Sequence, residues 1–109
     1  MKMARKRYFL VRVCGKGEVT ITGEQFLVAL IASVRKYFGE IGLSTIDPRL
    51  IRFNPQTRTA TVACEKEHEE ELQAATALVK EINTTPVALL TVSTSGTIKG
   101  LSKRSRQYS

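Results

Sequence analysis

Cationic side chains near the two ends of the chain are the residues best suited to chemistry, and the chemistry they suit is phosphate binding. The 109-residue sequence has a formal net charge of +7, and no Asp or Glu occurs before Glu18 or after Glu81. Lys and Arg side chains that neutralise phosphates supply much of the affinity of a protein for nucleic acid. We therefore expect a polyanionic partner, and the candidate contacts in these acid-free ends are Arg5, Lys6, Arg7, Lys99, Lys103, Arg104 and Arg106.

The segment STSGTIKG, residues 93–100, places small polar residues beside the C-terminal cations. Gly96 permits the close approach of a ligand, and amides at a helix start next to Lys99 are suited to receive a phosphate. Ser95 and Thr97 belong to the same candidate site, although a plain strand-to-helix turn capped by either hydroxyl is the alternative. Two further candidate RNA-binding residues come from the end of the first predicted helix: Arg35 and Lys36.

Catalytic and metal-binding patterns are missing from the sequence. A nucleophile needs a base and an orienting group, and His68 is the one histidine in the chain. Cys14 and Cys64 are too few and too far apart for a structural zinc site, so we interpret them as two buried thiols. We expect no catalytic residues, no metal site and no cofactor in this chain.

Hydrophobic periodicity predicts the elements that position the candidate residues. Alternation over residues 7–13 is typical of a strand. Thr22 and Gln25 have the spacing of a capping box, which predicts a helix that ends at Gly39 in the left-handed conformation. In the connection that follows, Gly42 indicates a turn.

The second half of the chain repeats this pattern. The runs LIRF and TATVAC on either side of NPQTR predict a hairpin. A second helix is predicted to begin near Glu67 and to carry a buried stripe as far as Ile82. The last strand, residues 87–92, is a continuous apolar run, which suggests burial on both faces or a partner on one of them.

The predicted order of elements is strand, helix, strand, strand, helix, strand. This order predicts an α+β fold, the ferredoxin-like or RNA-recognition-motif-like sandwich, with a four-stranded antiparallel sheet, two main helices and a short C-terminal helix. We expect one domain, residues 1–109, whose basic segments 1–6 and 102–109 are flexible. No membrane-length apolar run and no secretory cleavage pattern is found, so we expect a cytoplasmic protein.

The third predicted strand bears on how such a sheet would bind RNA. RNA-recognition motifs stack bases on aromatic residues of that strand, and TATVAC contains none. Stacking of single-stranded bases is therefore disfavoured. We expect contacts with the phosphates of a folded RNA, which respond to its shape more than to its sequence.

Several motifs together resemble the Pop-five subunit family of archaeal and eukaryotic ribonuclease P, also called protein component two. The resemblance covers roughly residues 7–101, and SGTIK is its most specific motif. The matching features are GEIG at Gly39 to Gly42, the strand LIRF, the turn at Asn54 to Thr57, Cys64, His68, the Ala-rich helix at Ala74 to Leu78, and SGTIK at Ser95 to Lys99.

This resemblance implies a protein subunit of a ribozyme in which the RNA removes the five-prime leader of precursor tRNA. The short chain without insertions is more typical of an archaeal than of a eukaryotic member. The subunit would support the catalytic domain of that RNA. It would pair with the thirty-kilodalton barrel-shaped subunit, two copies of each forming a heterotetramer, and would meet precursor tRNA only indirectly. Magnesium would belong to the RNA.

Two other classes of function remain open. One is a protein adaptor of the complex that makes no direct RNA contact. The other, a distant third, is a small phosphate-handling enzyme with Lys16 and Gly17 as a phosphate cradle and Arg35 as a clamp, although no base is present for it.

Overall fold

The computed structural model describes residues 5–17 and 20–98 as a four-stranded antiparallel sheet with two helices packed on one face. The sheet order β2, β3, β1, β6 confirms the α+β, ferredoxin-like sandwich expected from the sequence. Within the described ranges, no helix is long and apolar enough to span a bilayer. The elements are β1 (Lys6–Cys14), α1 (Gly23–Ile46), β2 (Arg49–Asn54), β3 (Thr59–Glu65), α2 (Glu69–Ala77), β4 (Glu81–Ile82), β5 (Thr85–Pro86) and β6 (Ala88–Ser95).

The central strand β1 directs alternate side chains into the core and onto the open face of the sheet. Phe9, Val11 and Val13 point toward the helices and are at most 2% exposed. Burying each such side chain contributes about 1.5–3 kcal/mol. Side chains alternate along a strand, so the open face of β1 carries the other set: Lys6, Tyr8, Leu10 and Arg12.

The first helix begins as the sequence predicts, and it is interrupted at Gly39, where the sequence predicts its end. Thr22 Oγ1 accepts a hydrogen bond from Gln25 N at 3.1 Å, and Gln25 Oε1 accepts one from Thr22 N at 3.0 Å, which completes the capping box. Gly39 has φ 72° and ψ −177°, a region almost restricted to glycine. The regular helix therefore breaks at Gly39, and a second helical segment, residues 40–46, follows the kink and buries Ile46 in the core.

The prediction of a turn at Gly42 is wrong. Gly42 lies within α1, where an added Cβ would be 2.5 Å from Phe38 Cβ. The glycine therefore lets the Phe38 side chain pack against the helix backbone. The left-handed C-terminal residue of the helix is Asp47, with φ 49°.

The second helix is shorter than predicted. It ends at Ala77, and Val79 and Ile82 of the expected stripe are buried beyond its end. Strands β4 and β5 form a small hairpin whose turn residues Asn83 and Thr84 have φ 48° and 66°. This tight turn lies where the sequence predicts the end of the helix, but the two residues before it form a strand and not a last helical turn.

The last strand is an edge strand and is buried on one face only. Leu89 packs in the core, whereas Leu90 is 55% exposed. Burial on both faces is therefore wrong within the described residues, and the other alternative, a partner on the exposed face, stays a prediction. Strand β6 pairs only with β1 among the described strands, with an irregularity in the register at Leu10 and Val11. The predicted C-terminal helix falls almost entirely beyond the described residues.

Candidate nucleic-acid interface

Arg7 occupies the end of the helix face of β1. Its Nε lies 3.1 Å from Glu69 Oε2 at the start of α2, an ion pair without hydrogen-bond geometry at Nε. The two side chains are 28% and 27% exposed, so the pair is largely withdrawn from water. Arg7 Nη1 also lies 3.5 Å from the position of an added Cβ on Gly96. The positive charge of Arg7 is thus balanced within the chain.

Lys6 is paired on the opposite face of the same strand. Its Nζ donates to Glu65 Oε1 at 2.7 Å and lies 3.5 Å from Asp47 Oδ2. The hydrogen bond to Glu65, Lys6's cross-strand partner, raises the pKa of Lys6 above its ordinary value of 10.5. A phosphate would have to compete with two carboxylates for this ammonium group.

Arg5 differs from its two neighbours because its side chain is exposed. Its carbonyl accepts a hydrogen bond from Lys66 N at 2.9 Å, which fixes the backbone where β1 begins. No ion pair of Arg5 occurs within the described part of the chain. Of the three predicted contacts Arg5, Lys6 and Arg7, Arg5 is therefore the most accessible to a phosphate.

The segment after β6 forms a capped turn. Ser95 is buried, and its Oγ accepts a hydrogen bond from Thr97 N at 3.2 Å. This arrangement matches the alternative in which Ser95 caps a following helix. Gly96 accommodates the Arg7 guanidinium, and its exposed backbone remains a predicted phosphate contact.

Arg35 and Lys36 lie on α1 and interact with their neighbours along that helix. Arg35 pairs with Glu40 across the bend at Gly39. Lys36 Nζ is 5.4 Å from the centroid of the Tyr37 ring. The Arg35 clamp of the enzyme alternative is thus engaged with a carboxylate.

Four predicted contacts and most of the two predicted flexible segments, 1–6 and 102–109, are outside the residues that the structure describes. Lys6 already belongs to β1. Their role and their flexibility stay predictions. The four cations are Lys99, Lys103, Arg104 and Arg106.

Three arginines that were not among the predicted contacts lie on β1, on β2 and at the end of the turn between β2 and β3. Arg12 stands opposite Thr59, Arg52 stands opposite Thr61, and Arg58 follows the hairpin turn. None of the three forms an ion pair within residues 5–17 and 20–98. For Arg12 the signal was present, because the alternation of residues 7–13 already placed it opposite the core.

The two cysteines have different surroundings. Cys64 is fully buried, and burial, with smaller effects of Glu69 and Glu65, raises its pKa to about 12. Cys14 is only half-buried, so the prediction of two buried thiols is right for Cys64 and wrong for Cys14. His68 Nδ1 lies 2.6 Å from Glu71 Oε2. In the described part of the chain, no three His, Cys, Asp or Glu residues gather as metal ligands.

Comparison with known proteins agrees with these features. A model of the Rpp14/Pop5 family matches residues 7–106. Ribonuclease P protein component 2 of Pyrococcus horikoshii is 32% identical over 100 residues, which are 92% of this chain and 82% of that protein. The protein of the same name from Pyrococcus abyssi is also 32% identical over 100 residues, 92% of this chain and 83% of that protein.

A solved structure shares the fold. A chain in the cryo-EM structure of yeast ribonuclease MRP superimposes with a TM-score of 0.72 at 8% sequence identity. The superposition covers 99% of this chain and 96% of that chain. At this identity the likeness concerns the fold alone, and it supports the sandwich described above.

Proposed function

This chain belongs to the Rpp14/Pop5 family, and from that membership we propose that it is a protein subunit of the ribonuclease P ribonucleoprotein. In this role it binds the catalytic domain of the ribonuclease P RNA and activates it for removal of the five-prime leader of precursor tRNA. The match to the family over residues 7–106 is the observation that carries the proposal. The excess of basic residues supports an RNA partner.

The RNA supplies the catalyst and holds the magnesium in this proposal, and the chain itself contributes no catalytic residue. Its protein partner is the thirty-kilodalton barrel-shaped subunit, with two copies of each in a cytoplasmic, archaeal heterotetramer. Exposed apolar side chains on α1 suit such a protein contact, since Ile41 is 85% and Val28 63% exposed. Precursor tRNA is contacted through the RNA.

Cleavage of precursor tRNA by the cognate RNA at limiting magnesium tests this function. The barrel subunit is added alone and then together with this chain. We expect efficient cleavage only with both proteins, because the chain lowers the magnesium concentration that the RNA needs. No gain on adding the chain would contradict the proposal.

A protein adaptor without direct RNA contact is the second candidate function. The ion pairs that engage Lys6, Arg7 and Arg35 favour it, because they reduce the number of cations free for RNA. Filter retention of labelled RNA by the isolated chain at low salt separates the two. The adaptor predicts no retention while the chain still captures the barrel subunit.

A further inference from the structure

We propose that a cleft between Arg12 and Arg58, at the far end of β1 from Arg7, binds a phosphate group of the RNA backbone. The ligand class rests on the proposed function, since it takes RNA as the partner. The cleft has a volume of about 260 Å³. Its lining residues are Arg12, Val13, Cys14, Gly15, Thr57 and Arg58.

Charge is the first reason for this assignment. Arg12 and Arg58 both line one small cleft, and neither forms an ion pair within the described part of the chain. Two cationic residues without an internal counter-charge make the cleft a favourable place for an anion. Guanidinium groups also match phosphate oxygens with paired hydrogen bonds, which gives both affinity and orientation.

The size of the cleft limits what it holds. Pockets for drug-sized ligands usually have volumes of about 300–1,000 Å³. The cleft is smaller than that range, and it opens on the surface between two arginines. A single phosphate group with its chain continuing on either side therefore suits it better than an entire nucleotide.

The backbone holds Arg58 in place before any ligand arrives. Asn54 Oδ1 accepts hydrogen bonds from Gln56 N at 3.0 Å and Thr57 N at 3.3 Å, which orders the hairpin turn. Val13 N donates to Arg58 O at 2.8 Å and ties the turn to β1. Such preorganisation lowers the entropic cost of binding.

Arg58 itself occupies an unfavourable backbone position. Its φ is 55°, in the left-handed region where glycine or asparagine is usual and other residues are uncommon. An arginine at this site retains a backbone cost that a glycine would remove. A side chain kept at such a cost points to a role for its guanidinium group.

A route for the rest of the RNA strand leads over the open face of the sheet. Arg52 lies on that face opposite Thr61, one cross-strand row away from Arg12 and Thr59. It is exposed and has no ion pair within residues 5–17 and 20–98. A neighbouring phosphate can meet Arg52 while the first is held in the cleft.

Salt-dependent binding of the cognate RNA to the complex of this chain with the barrel subunit tests the cleft. The double variant Arg12→Gln with Arg58→Gln should bind the RNA at least about tenfold more weakly at physiological salt. The slope of log affinity against log salt should fall by about two. The control Lys66→Gln with Lys80→Gln removes equal charge from exposed sites elsewhere and should change the slope far less.

A second variant guards against a folding defect. Arg58→Gly fits the positive φ, so it should fold at least as stably as the wild type. It should lower the slope of log affinity against log salt by about half as much as the double variant does. Arg58→Lys keeps the charge but not the forked hydrogen bonds, and should bind the RNA with intermediate affinity. Circular dichroism and thermal melting verify that each variant is folded.

Each result decides one point. Suppose that the wild type binds RNA and stimulates cleavage, and that the double variant binds RNA as well as the lysine control does. This result contradicts the proposed phosphate site in the cleft and leaves the proposed function standing. Failure of the wild type to bind RNA or to stimulate cleavage overturns the proposed function, and the RNA ligand with it. Inorganic phosphate is titrated in parallel with chloride at equal ionic strength. Tight binding of phosphate, together with an RNA affinity that neither arginine substitution changes, would identify a site for free anions and contradict the proposal.

Discussion

The two ends of β1 present the same kind of side chain in opposite circumstances. At one end, Lys6 and Arg7 face Glu65 and Glu69 across distances of 2.7 and 3.1 Å. At the other end, Arg12 shares a cleft with a second arginine, and the described residues supply no carboxylate there. The cations at the first end are neutralised by carboxylates of the chain, whereas those at the second end are available to an anion from another molecule.

The position of a cation in the sequence is a poor guide to its availability for phosphate binding. The N-terminal segment contains no acids, but carboxylates from β3 and α2 pair with its cations in the folded chain. An engaged guanidinium must break its ion pair before it binds a phosphate, and that cost reduces the net gain. An unpaired arginine loses only part of its hydration.

The largest expected contrast between the two ends is the reactivity of their cysteines. Cys14 lines the cleft and is half-buried, whereas Cys64 is buried opposite Arg7 with a pKa of about 12. At pH 8, about one Cys64 thiol in ten thousand is ionised, and the thiolate is the reactive form. We expect N-ethylmaleimide to modify Cys14 at least about a hundredfold faster, as measured by mass spectrometry and peptide mapping.

The single variants Cys14→Ala and Cys64→Ala serve as matched controls for this labelling. Similar rates for the two thiols would contradict the contrast in burial. Bound RNA should slow the labelling of Cys14, because the phosphate and its strand cover the cleft. Unchanged labelling of Cys14 in the RNA complex would count against occupancy of the cleft.

The next contrast concerns stability. Arg7→Met should lower the free energy of unfolding by about 1–2 kcal/mol, because Glu69 is left partly buried without its partner. Arg12→Met should stay within about 0.5 kcal/mol of the wild type, because Arg12 has no internal partner to lose. Urea denaturation measures both values. Adding Glu69→Gln to Arg7→Met should recover part of the loss, and equal effects of the two arginine variants would remove the distinction between the ends.

The smallest expected effect is the pH dependence of the Lys6 pair. The pKa of Lys6 is higher in the folded chain than its ordinary value of 10.5, mainly because of the hydrogen bond to Glu65. The pair therefore stabilises the fold at neutral pH, and this contribution is lost as the pH rises through the folded pKa. The difference in Tm between wild type and Lys6→Met should be constant from neutral pH to about pH 9 and should shrink above about pH 10.5.

Lys80→Met is the control for that comparison, since Lys80 is exposed and has no ion pair within the described ranges. Its difference from the wild type should show no comparable decline through this pH range. A Lys6→Met difference that grew with pH would contradict the assigned direction of the pKa shift. Because the Lys6 pair is partly solvated, its effect should stay below about 1 kcal/mol.

Local signals predicted the parts of the fold that depend on neighbours in sequence. The capping box at Thr22 and Gln25, the alternation of β1 and the hairpin turn after Asn54 all occur as predicted. The family suggested by motifs such as SGTIK is confirmed by the match over residues 7–106. In each case the determining contacts lie within a few residues, so the sequence contains the required information.

Errors arose where packing overrode a local signal. Gly39 interrupts the helix as predicted, but Gly42, predicted to form a turn, lies in a second helical segment whose last residue, Ile46, is buried in the core. Val79 and Ile82, predicted to lie on the second helix, are buried as expected, but they follow the end of α2. Ile82 belongs to the hairpin that turns at Asn83 and Thr84. Burial alone does not distinguish a helix from the strand that follows it.

The sandwich, the family and the basic character of the chain could all be predicted from the amino-acid sequence, because periodicity, turn residues and composition are local or additive properties. Which cations are available for binding depends on the folded structure. The acids of β3 and α2 lie far from Lys6 and Arg7 along the chain, and only the antiparallel pairing of β1 with β3 brings them within 3.1 Å. The same pairing brings Arg12 beside Arg58, where no described acid follows.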